Sequence, residues 1–209
     1  MCSAPVVAET FQSFADLATA YKKDVDYRIT RTAGLYPTIV VVAPHGGAIE
    51  RPTSQIATAI AGNEFSCYRF EGIRTADNYD ALHLTSDRFD EPTCLTFISE
   101  CAYVVSVHGC AGAEMEVLVG GLDKKLKALI GKALADHGVR CRLTGHKFPG
   151  TSVTNICNLG RSRAGVQLEL TCALRKSQDT VARVVQAVRS VLSKLADAGA
   201  AVEGHLNPK

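Results

Sequence analysis

The sequence predicts an α/β fold in which a mixed, mostly parallel sheet is flanked by helices. Short runs rich in β-branched residues alternate along the chain with segments of helical periodicity. Two of those runs, residues 38–44 and 102–107, are apolar throughout, which is typical of central strands buried on both faces. The last segment, residues 178–198, places its valines and leucines on one helical face.

Length and composition favour a single folded domain. The 209 residues contain no Pro-, Gly- or Ser-rich break, so we expect one domain over residues 1–209 with its core at about 36–198. Hydrophobic residues make up 46% of the chain and charged residues 21%, which allows a sizeable core. A net charge of +2, with Lys and Arg spread along the chain, argues against a nucleic-acid partner.

No segment of the chain resembles a targeting or membrane-spanning element. The first 23 residues lack the basic start and apolar stretch of a signal peptide, and no apolar run reaches the ~18 residues of a membrane span. We therefore expect a cytoplasmic protein without a membrane partner, which could reach an extracellular substrate only after cell lysis. We also expect a monomer. The eight cysteines show no CxxC spacing, which predicts reduced, mostly buried thiols.

The first half of the chain contains five predicted elements. They are a helix over residues 11–23, a strand or loop over 24–34, a central strand over 38–44, a helix over 51–61 and a strand over 66–70. The central strand is expected to end at Pro44, where His45 and two glycines follow.

The second half continues the alternation. Its predicted elements are a strand over residues 81–85, a helix over 93–100, strands over 102–107 and 116–119, a helix over 122–137, a strand over 165–170 and a helix over 178–198. This order predicts helices on both sides of one sheet.

Polar residues that suit a metal follow the two central strands. His45 comes directly after the first strand, and Glu50 lies five residues further on, beyond a Gly-Gly turn. His108 ends the second strand. Ligands of open α/β sheets bind at the carboxyl ends of strands, and two imidazoles with one carboxylate form the ligand set of a catalytic zinc site. We therefore predict one zinc ion per chain, although a histidine at a strand end can also be a hydrogen-bonded core residue.

A further carboxylate lies on another apolar strand. In GVQLELT, Gln167 and Glu169 share one face, opposite their apolar neighbours. A buried carboxylate is costly unless it is paired or used, and beside a metal it can take a proton from attacking water and pass it to a leaving amine. Glu169 is therefore the predicted general base.

Substrate contacts are expected from polar side chains that precede or flank these strands. Guanidinium and amide groups bind carboxylates well. The candidate substrate-binding residues are Asn155, Asn158, Arg161, Arg163, His83 and Arg74. For the four residues of the loop before the last strand, a solvated loop without function is an equally good interpretation.

Several short motifs in a fixed order carry a family resemblance. PHGGAIE, LHLTSDRFDEP, VVSVHG, NICN and GVQLELT, spread over residues 44–171, resemble the poly-γ-glutamate hydrolase family, which includes bacteriophage enzymes. The resemblance implies the fold of the carboxypeptidase A type of zinc peptidase. It also implies zinc ligands at His45, Glu50 and His108, a catalytic glutamate at Glu169, and hydrolysis of γ-glutamyl amide bonds in an anionic polymer or peptide. In that family, such hydrolysis lets a phage strip the host's polyglutamate capsule.

The chain departs from the related carboxypeptidases at one substrate position. An arginine is expected directly after the asparagine that corresponds to Asn158, but Leu159 occupies that place. Arg161 or Arg163 is the expected substitute.

Two other classes of protein remain compatible with these residues. The first is a catalytically inactive metal-binding or interaction protein of the same fold, although such a protein has no need of a general base. The second is a cysteine hydrolase that uses Cys110 beside His108. Removal of metal would abolish a zinc enzyme and leave a cysteine enzyme working.

Overall fold

The strands of the computed structural model, which describes residues 11–206 and their side chains as far as residue 199, form one seven-stranded sheet. They are β1 Tyr27–Thr32, β2 Tyr36–Gly47, β3 Phe65–Gly72, β4 Tyr103–Cys110, β5 Glu116–Gly120, β6 Arg140–Arg142 and β7 Val166–Thr171. The spatial order is β1-β3-β2-β4-β7-β5-β6. Strands β3, β2, β4 and β7 run parallel, β1 and β5 pair antiparallel to β3 and β7, and β6 is parallel to β5. The predicted fold class is confirmed.

Helices pack against both faces of this sheet. They are α1 Phe14–Ala20, α2 Thr53–Ala61, α3 Asn78–Leu82, α4 Pro92–Ser99, α5 Lys124–Asp136, α6 Cys172–Arg175 and α7 Gln178–Leu206. One face, with Val41 and Leu168 at its centre, packs against α2, α5 and α7. The other, with Val40 and Val42, packs against α1, α3 and α4. No helix in the described range is long and apolar enough to cross a membrane.

The two apolar runs form the central strands β2 and β4, which pair with each other. Their valines are fully buried because helices cover the sheet from both sides. Strand β2 continues past the predicted end at Pro44 to Gly47, with an irregular register against β3 between Ala43 and Gly46. His45 therefore belongs to the end of the strand itself.

The predicted strand over residues 81–85 is wrong. Residues 78–82 form helix α3, and the backbone becomes extended again only at His83. Asn78 closes the preceding turn, since its side chain accepts from the Arg74 N–H and donates to the Arg74 carbonyl. A short apolar run does not distinguish a strand from a helix by periodicity, and this local turn decides in favour of the helix.

The other differences concern short elements and the cysteines. Strand β6, helix α6 and a 3₁₀ turn at Ile156–Asn158 were not predicted, and α1 is shorter than the predicted helix over 11–23. Six cysteines are free thiols, as predicted, and all but Cys141 are buried. Cys172 is disulfide-bonded, so the prediction of reduced thiols is wrong at that position.

Candidate metal centre

The turn after β2 brings His45 and Glu50 together. The Glu50 N–H and the Thr53 hydroxyl both donate to the His45 carbonyl, at 3.0 Å and 2.9 Å. Gly47 adopts a φ of 60°, and a Cβ at that position would lie 2.4 Å from the Gly72 carbonyl oxygen. Only glycine fits such a close approach of two backbones, so the second glycine of the motif makes the turn possible.

Three ligand atoms from this turn and from β4 converge on one point. His45 Nδ1 lies 3.1 Å from Glu50 Oε1 and 3.1 Å from His108 Nδ1, while His108 Nδ1 lies 3.8 Å from Glu50 Oε2. The exposed fractions are 1% for His45, 8% for Glu50 and 1% for His108. The structure thus brings the three predicted metal ligands together in a buried position.

The hydrogen bonds of His45 indicate which of its ring nitrogens faces the point of convergence. His45 Nε2 lies 2.7 Å from the Leu84 carbonyl oxygen, which can only accept, so Nε2 carries the proton and Nδ1 a lone pair. Nδ1 then faces an imidazole nitrogen and a carboxylate oxygen at short distance. Two imidazole nitrogens and a carboxylate oxygen this close together are compatible with either a proton or a metal ion between them. The donor set therefore fits a metal ion.

Glu50 and His108 are also held by hydrogen bonds to groups outside the three candidate ligands. The Gly109 N–H donates to Glu50 Oε2 over 2.8 Å, and the Ser86 hydroxyl lies 3.2 Å from His108 Nε2. Such outer contacts fix ring and carboxylate orientation in metal sites. The geometry is thus preorganised by the backbone of β4 and by the loop after α3.

The electrostatics keep the ligands in the form that binds a metal. Burial, together with repulsion from His45, lowers the pKa of His108 to about 3, so its imidazole is neutral near pH 7. Burial alone would raise the pKa of Glu50, but attraction and hydrogen bonds from His45 and His83 hold it well below its usual range. Neutral imidazole and ionised carboxylate are the metal-binding species.

A third histidine lies at the same place. His83 Nε2 is 3.4 Å from Glu50 Oε1, and its ring lies 4.1 Å from that of His45 and 4.5 Å from that of Tyr79. Ligand atoms of His45, Glu50 and His83 all lie within 4.8 Å of one another. The sequence placed His83 among the substrate-binding candidates, whereas the structure places it against the Glu50 carboxylate.

Glu169 lies beside this centre on β7. It occupies the position paired with His108 in the parallel register of β4 and β7, and its exposed fraction is 6%. Burial, reinforced by the charge of Glu50, raises the pKa of Glu169 well above its usual range, while Arg175 and Lys147 oppose this shift.

The two asparagines predicted to bind substrate are buried and occupied by internal contacts. Asn158 donates to the carbonyls of Gly150 and Ser152 and accepts from two backbone N–H groups. Asn155 donates to Gln167. Both organise the chain around Gly150, and Asn158 in particular has its hydrogen-bonding groups in use.

The three arginines predicted to bind substrate lie away from the centre. The Arg161 N–H donates to the Cys101 carbonyl just before β4, so this exposed residue lies at the opposite edge of the sheet from His108. His108 lies five residues after Tyr103 in β4, which corresponds to about 17 Å at ~3.3 Å per residue. Arg163 belongs to the same exposed turn.

Arg74 is paired elsewhere. Its guanidinium forms a 2.6 Å ion pair with Asp26 and lies over the ring of Tyr21. Its Nε is buried without a hydrogen-bond partner among the described residues, so these contacts satisfy only part of the guanidinium.

Two cations that the sequence analysis missed act on Glu169 instead. Arg175, in α6, donates to the carbonyls of Leu170, Cys110 and Arg51. Lys147 is exposed in the loop after β6. Beside them a cavity of about 320 Å³ is lined by residues that include Gly112, Glu116, Leu118, Arg142, Lys147 and Thr171. Neither cation belongs to a recognisable motif, although Arg175 directly follows the strand that carries Glu169.

The alternative nucleophile is not activated. Cys110 is buried, and this burial raises the pKa of its thiol to about 12, with the nearby Glu169 adding to the shift. A reactive cysteine needs a lowered pKa, so the surroundings of Cys110 disfavour a cysteine hydrolase.

Comparison with known proteins gives consistent matches. Residues 11–192 match the model of a family described as poly-gamma-glutamate hydrolase. The chain is 35% identical over 171 residues to UPF0714 protein YmaC of Bacillus subtilis strain 168, covering 81% of this chain and 72% of YmaC. The structure of a bacteriophage poly-gamma-glutamate hydrolase superposes with a TM-score of 0.84 at 27% identity, covering 91% of this chain and 100% of that one. The structure of the zinc-free apo form of YNDL superposes with a TM-score of 0.82 at 29% sequence identity. This match covers 89% of this chain and 98% of that one.

Proposed function

Because this chain belongs to the poly-γ-glutamate hydrolase family, as its motifs predicted, we propose that it cleaves γ-glutamyl amide bonds with the help of one zinc ion. The family supports hydrolase activity. The observation that carries the finer proposal is the convergence of His45, Glu50 and His108 beside Glu169. The likeness to carboxypeptidase A, the monomeric state and the cytoplasmic location stay predictions.

His45 Nδ1, Glu50 and His108 Nδ1 would hold the metal. A solved relative is described as zinc-free YNDL, which supports zinc as the ion in this family. When bound, zinc supplies a Lewis acid that polarises the scissile carbonyl and makes attacking water more acidic.

We assign the third ligand to His108 rather than His83. His108 lies on a central strand, is almost fully buried, and points Nδ1 at Nδ1 of His45. His83 follows a five-residue helix and contacts Glu50 from the more exposed side. Three protein ligands leave the open position that a catalytic site needs, so His83 acts better as a support for the Glu50 carboxylate.

Glu169 moves the proton. Its Oε1 accepts a hydrogen bond from Gln167, so Oε2 takes a proton from the attacking water and delivers it to the leaving nitrogen. The base must be ionised to begin, which requires that the negative charge of Glu50 be compensated. The cationic side chains of Arg175 and Lys147 favour the same ionised form.

The substrate class is taken from the family, and the cavity offers both signs of charge, with Glu114 and Glu116 lining it as well as Arg142 and Lys147. A γ-glutamyl polymer carries one free carboxylate per residue, and Lys147 presents an exposed ammonium group at the cavity edge. Arg142 also lines the cavity but is held by Glu116 through two hydrogen bonds. We therefore place substrate carboxylate recognition at Lys147, in place of Arg161 and Arg163.

The proposal is tested on purified protein with poly-γ-glutamate as substrate. The wild type should shorten the polymer after reconstitution with zinc and lose this activity with its zinc on chelation. His108→Ala should bind no zinc and cleave nothing. Glu169→Gln should keep zinc and lose about 10²–10⁴-fold in kcat. Zinc-loaded wild type that leaves γ-glutamyl bonds intact would favour the inactive metal-binding alternative, and wild type that binds no zinc would refute the metal centre.

A further inference from the structure

The side chains behind Glu169 form a continuous chain of hydrogen bonds. Asn155 Nδ2 donates to Gln167 Oε1 over 2.9 Å, and Gln167 Nε2 donates to Glu169 Oε1 over 3.1 Å. All three residues are buried. We propose that Asn155 and Gln167 are positioning residues that aim Glu169 at the reacting atoms. This inference rests on the function proposed above.

A backbone N–H group fixes which atom donates and which accepts in each of these side-chain hydrogen bonds. The Cys157 N–H donates to Asn155 Oδ1 over 3.1 Å, and because a backbone N–H can only donate, the amide oxygen of Asn155 must face it. The amide nitrogen of Asn155 then faces Gln167 and requires the oxygen of Gln167. The nitrogen of Gln167 is therefore the atom presented to Glu169. A flip of either amide would place two acceptors or two donors against each other.

The loop over Gln167 also fixes its conformation. Gly150 has a φ of 59°, and a Cβ there would lie 3.3 Å from Gln167 Cβ and 3.5 Å from its Cδ. Asn158 holds the Gly150 carbonyl at 2.8 Å. The loop backbone is thus pressed against the Gln167 side chain, which restricts its rotamer.

Packing alone does not require glutamine at this position. An apolar side chain of similar size would fill the space without the cost of desolvating an amide. Gln167 and Glu169 share one face because strand side chains alternate, and His108 occupies the paired position on β4. With Oε1 of Glu169 anchored by Gln167, rotation of the carboxylate is restricted and Oε2 is left for proton transfer. A base held in this way reacts without first having to be oriented.

The kinetic test uses Gln167→Met, which keeps the length of the side chain and removes both hydrogen bonds. We expect kcat to fall roughly 10- to 100-fold, the loss for a hydrogen bond to a charged group, with KM and bound zinc unchanged. In a Glu169→Gln background the same change should cost nothing further, because Gln167 acts through Glu169. An undiminished loss in that background, unchanged kcat in the single variant, or loss of zinc would overturn the proposal.

The variant Asn155→Asp tests the donor-to-acceptor direction of the hydrogen bonds that lead to Glu169. It keeps an acceptor for the Cys157 N–H but removes the donor to Gln167, so kcat should also fall. Thr154→Ala, in the same loop, is the matched control and should retain wild-type kcat. Side-chain amide NMR gives a readout without turnover: the Gln167 NH₂ signals should shift in Asn155→Asp and in Glu169→Gln, but not in Thr154→Ala.

The two readouts separate the two proposals. If zinc-loaded wild type fails to cleave γ-glutamyl bonds, the proposed function fails, and the NMR shifts still decide whether the hydrogen-bond chain exists. If the wild type cleaves but the Gln167 amide signals are the same in all variants, the positioning role is wrong while the hydrolase stands.

Discussion

Substitution of Asn158 distinguishes a structural role from a substrate contact. The sequence suggested that Asn158 binds a substrate carboxylate, whereas in the structure it is 1% exposed and surrounded by backbone. Its amide nitrogen donates to the carbonyls of Gly150 and Ser152 at 2.8 Å each. Its oxygen accepts from the N–H groups of Leu122 at 3.2 Å and Gly165 at 3.1 Å. We expect Asn158→Ala to destabilise the protein.

The magnitude follows from these four hydrogen bonds. A hydrogen bond contributes a net ~0.5–1.5 kcal/mol, so their loss should lower the free energy of unfolding by about 4 kcal/mol. For a domain of this size, each kcal/mol corresponds to ~2–4 °C, which predicts a fall in Tm of about 8–16 °C. The matched control is Arg161→Ala, which changes an exposed side chain and should stay within ~0.5 kcal/mol of the wild type.

The assay is thermal unfolding of zinc-loaded protein, followed by kinetics below the transition. KM should be close to the wild-type value for the folded fraction of Asn158→Ala. An unchanged Tm with a raised KM would show that Asn158 contacts substrate and would refute the structural reasoning. A raised KM in Arg161→Ala would likewise return carboxylate binding to the loop before β7.

Three further predictions test the other roles. Cys110→Ala should retain hydrolysis, because a thiol with a pKa raised to about 12 by burial is not the nucleophile, and inactive but zinc-loaded Cys110→Ala would support a cysteine hydrolase. Lys147→Glu should raise KM about twofold to fivefold or more at low salt, since an exposed ion pair contributes ~0.2–1 kcal/mol. A KM change that persists at high salt would argue against an electrostatic contact between Lys147 and the substrate. His83→Gln should keep zinc, as measured by elemental analysis, while His108→Ala loses it, and the reverse result would make His83 the third ligand.

The strands and the residues at their carboxyl ends could be predicted because their signals are local. Apolar β-branched runs predict buried strands, and polar side chains at the ends of such runs stand out: His45 and His108 lie where predicted. The same reasoning selected Glu169, since a carboxylate on an apolar strand needs a partner or a use, and the structure places it in register with His108, while its role as the base stays a prediction. The position of His83 was not accessible, because it depends on a turn that Asn78 closes and on the contact of that turn with Glu50.

Two of the predicted arginines lie far from the candidate metal centre for a reason of topology. A loop that leads into a parallel strand lies at the opposite edge of the sheet from the loops that leave such strands. Arg161 and Arg163 precede β7, so they lie at its start, whereas the candidate ligands His45 and His108 lie at the carboxyl ends of β2 and β4. Arg175 follows β7 and lies near Glu169. The direction of the strand, available from the sequence, would have excluded the first two residues and favoured the third.

The order of the central strands explains why three distant segments can make one site. Strands β2, β4 and β7 are neighbours and run parallel, so their carboxyl ends meet at one edge although β2 and β7 are more than 100 residues apart. At that edge β2 leads into the turn with His45 and Glu50, β4 supplies His108, and β7 supplies Glu169. Glu169 lies two strands away from His45, which separates their backbones by about 10 Å at ~4.8 Å per strand, and His108 lies on the strand between them. Gln167 lies two residues before Glu169 in β7, on the same face of the strand. It is therefore further from the carboxyl end of the strand than Glu169, and it is buried. The proposed base, Glu169, and the proposed positioning residue, Gln167, thus differ in their depth along one strand.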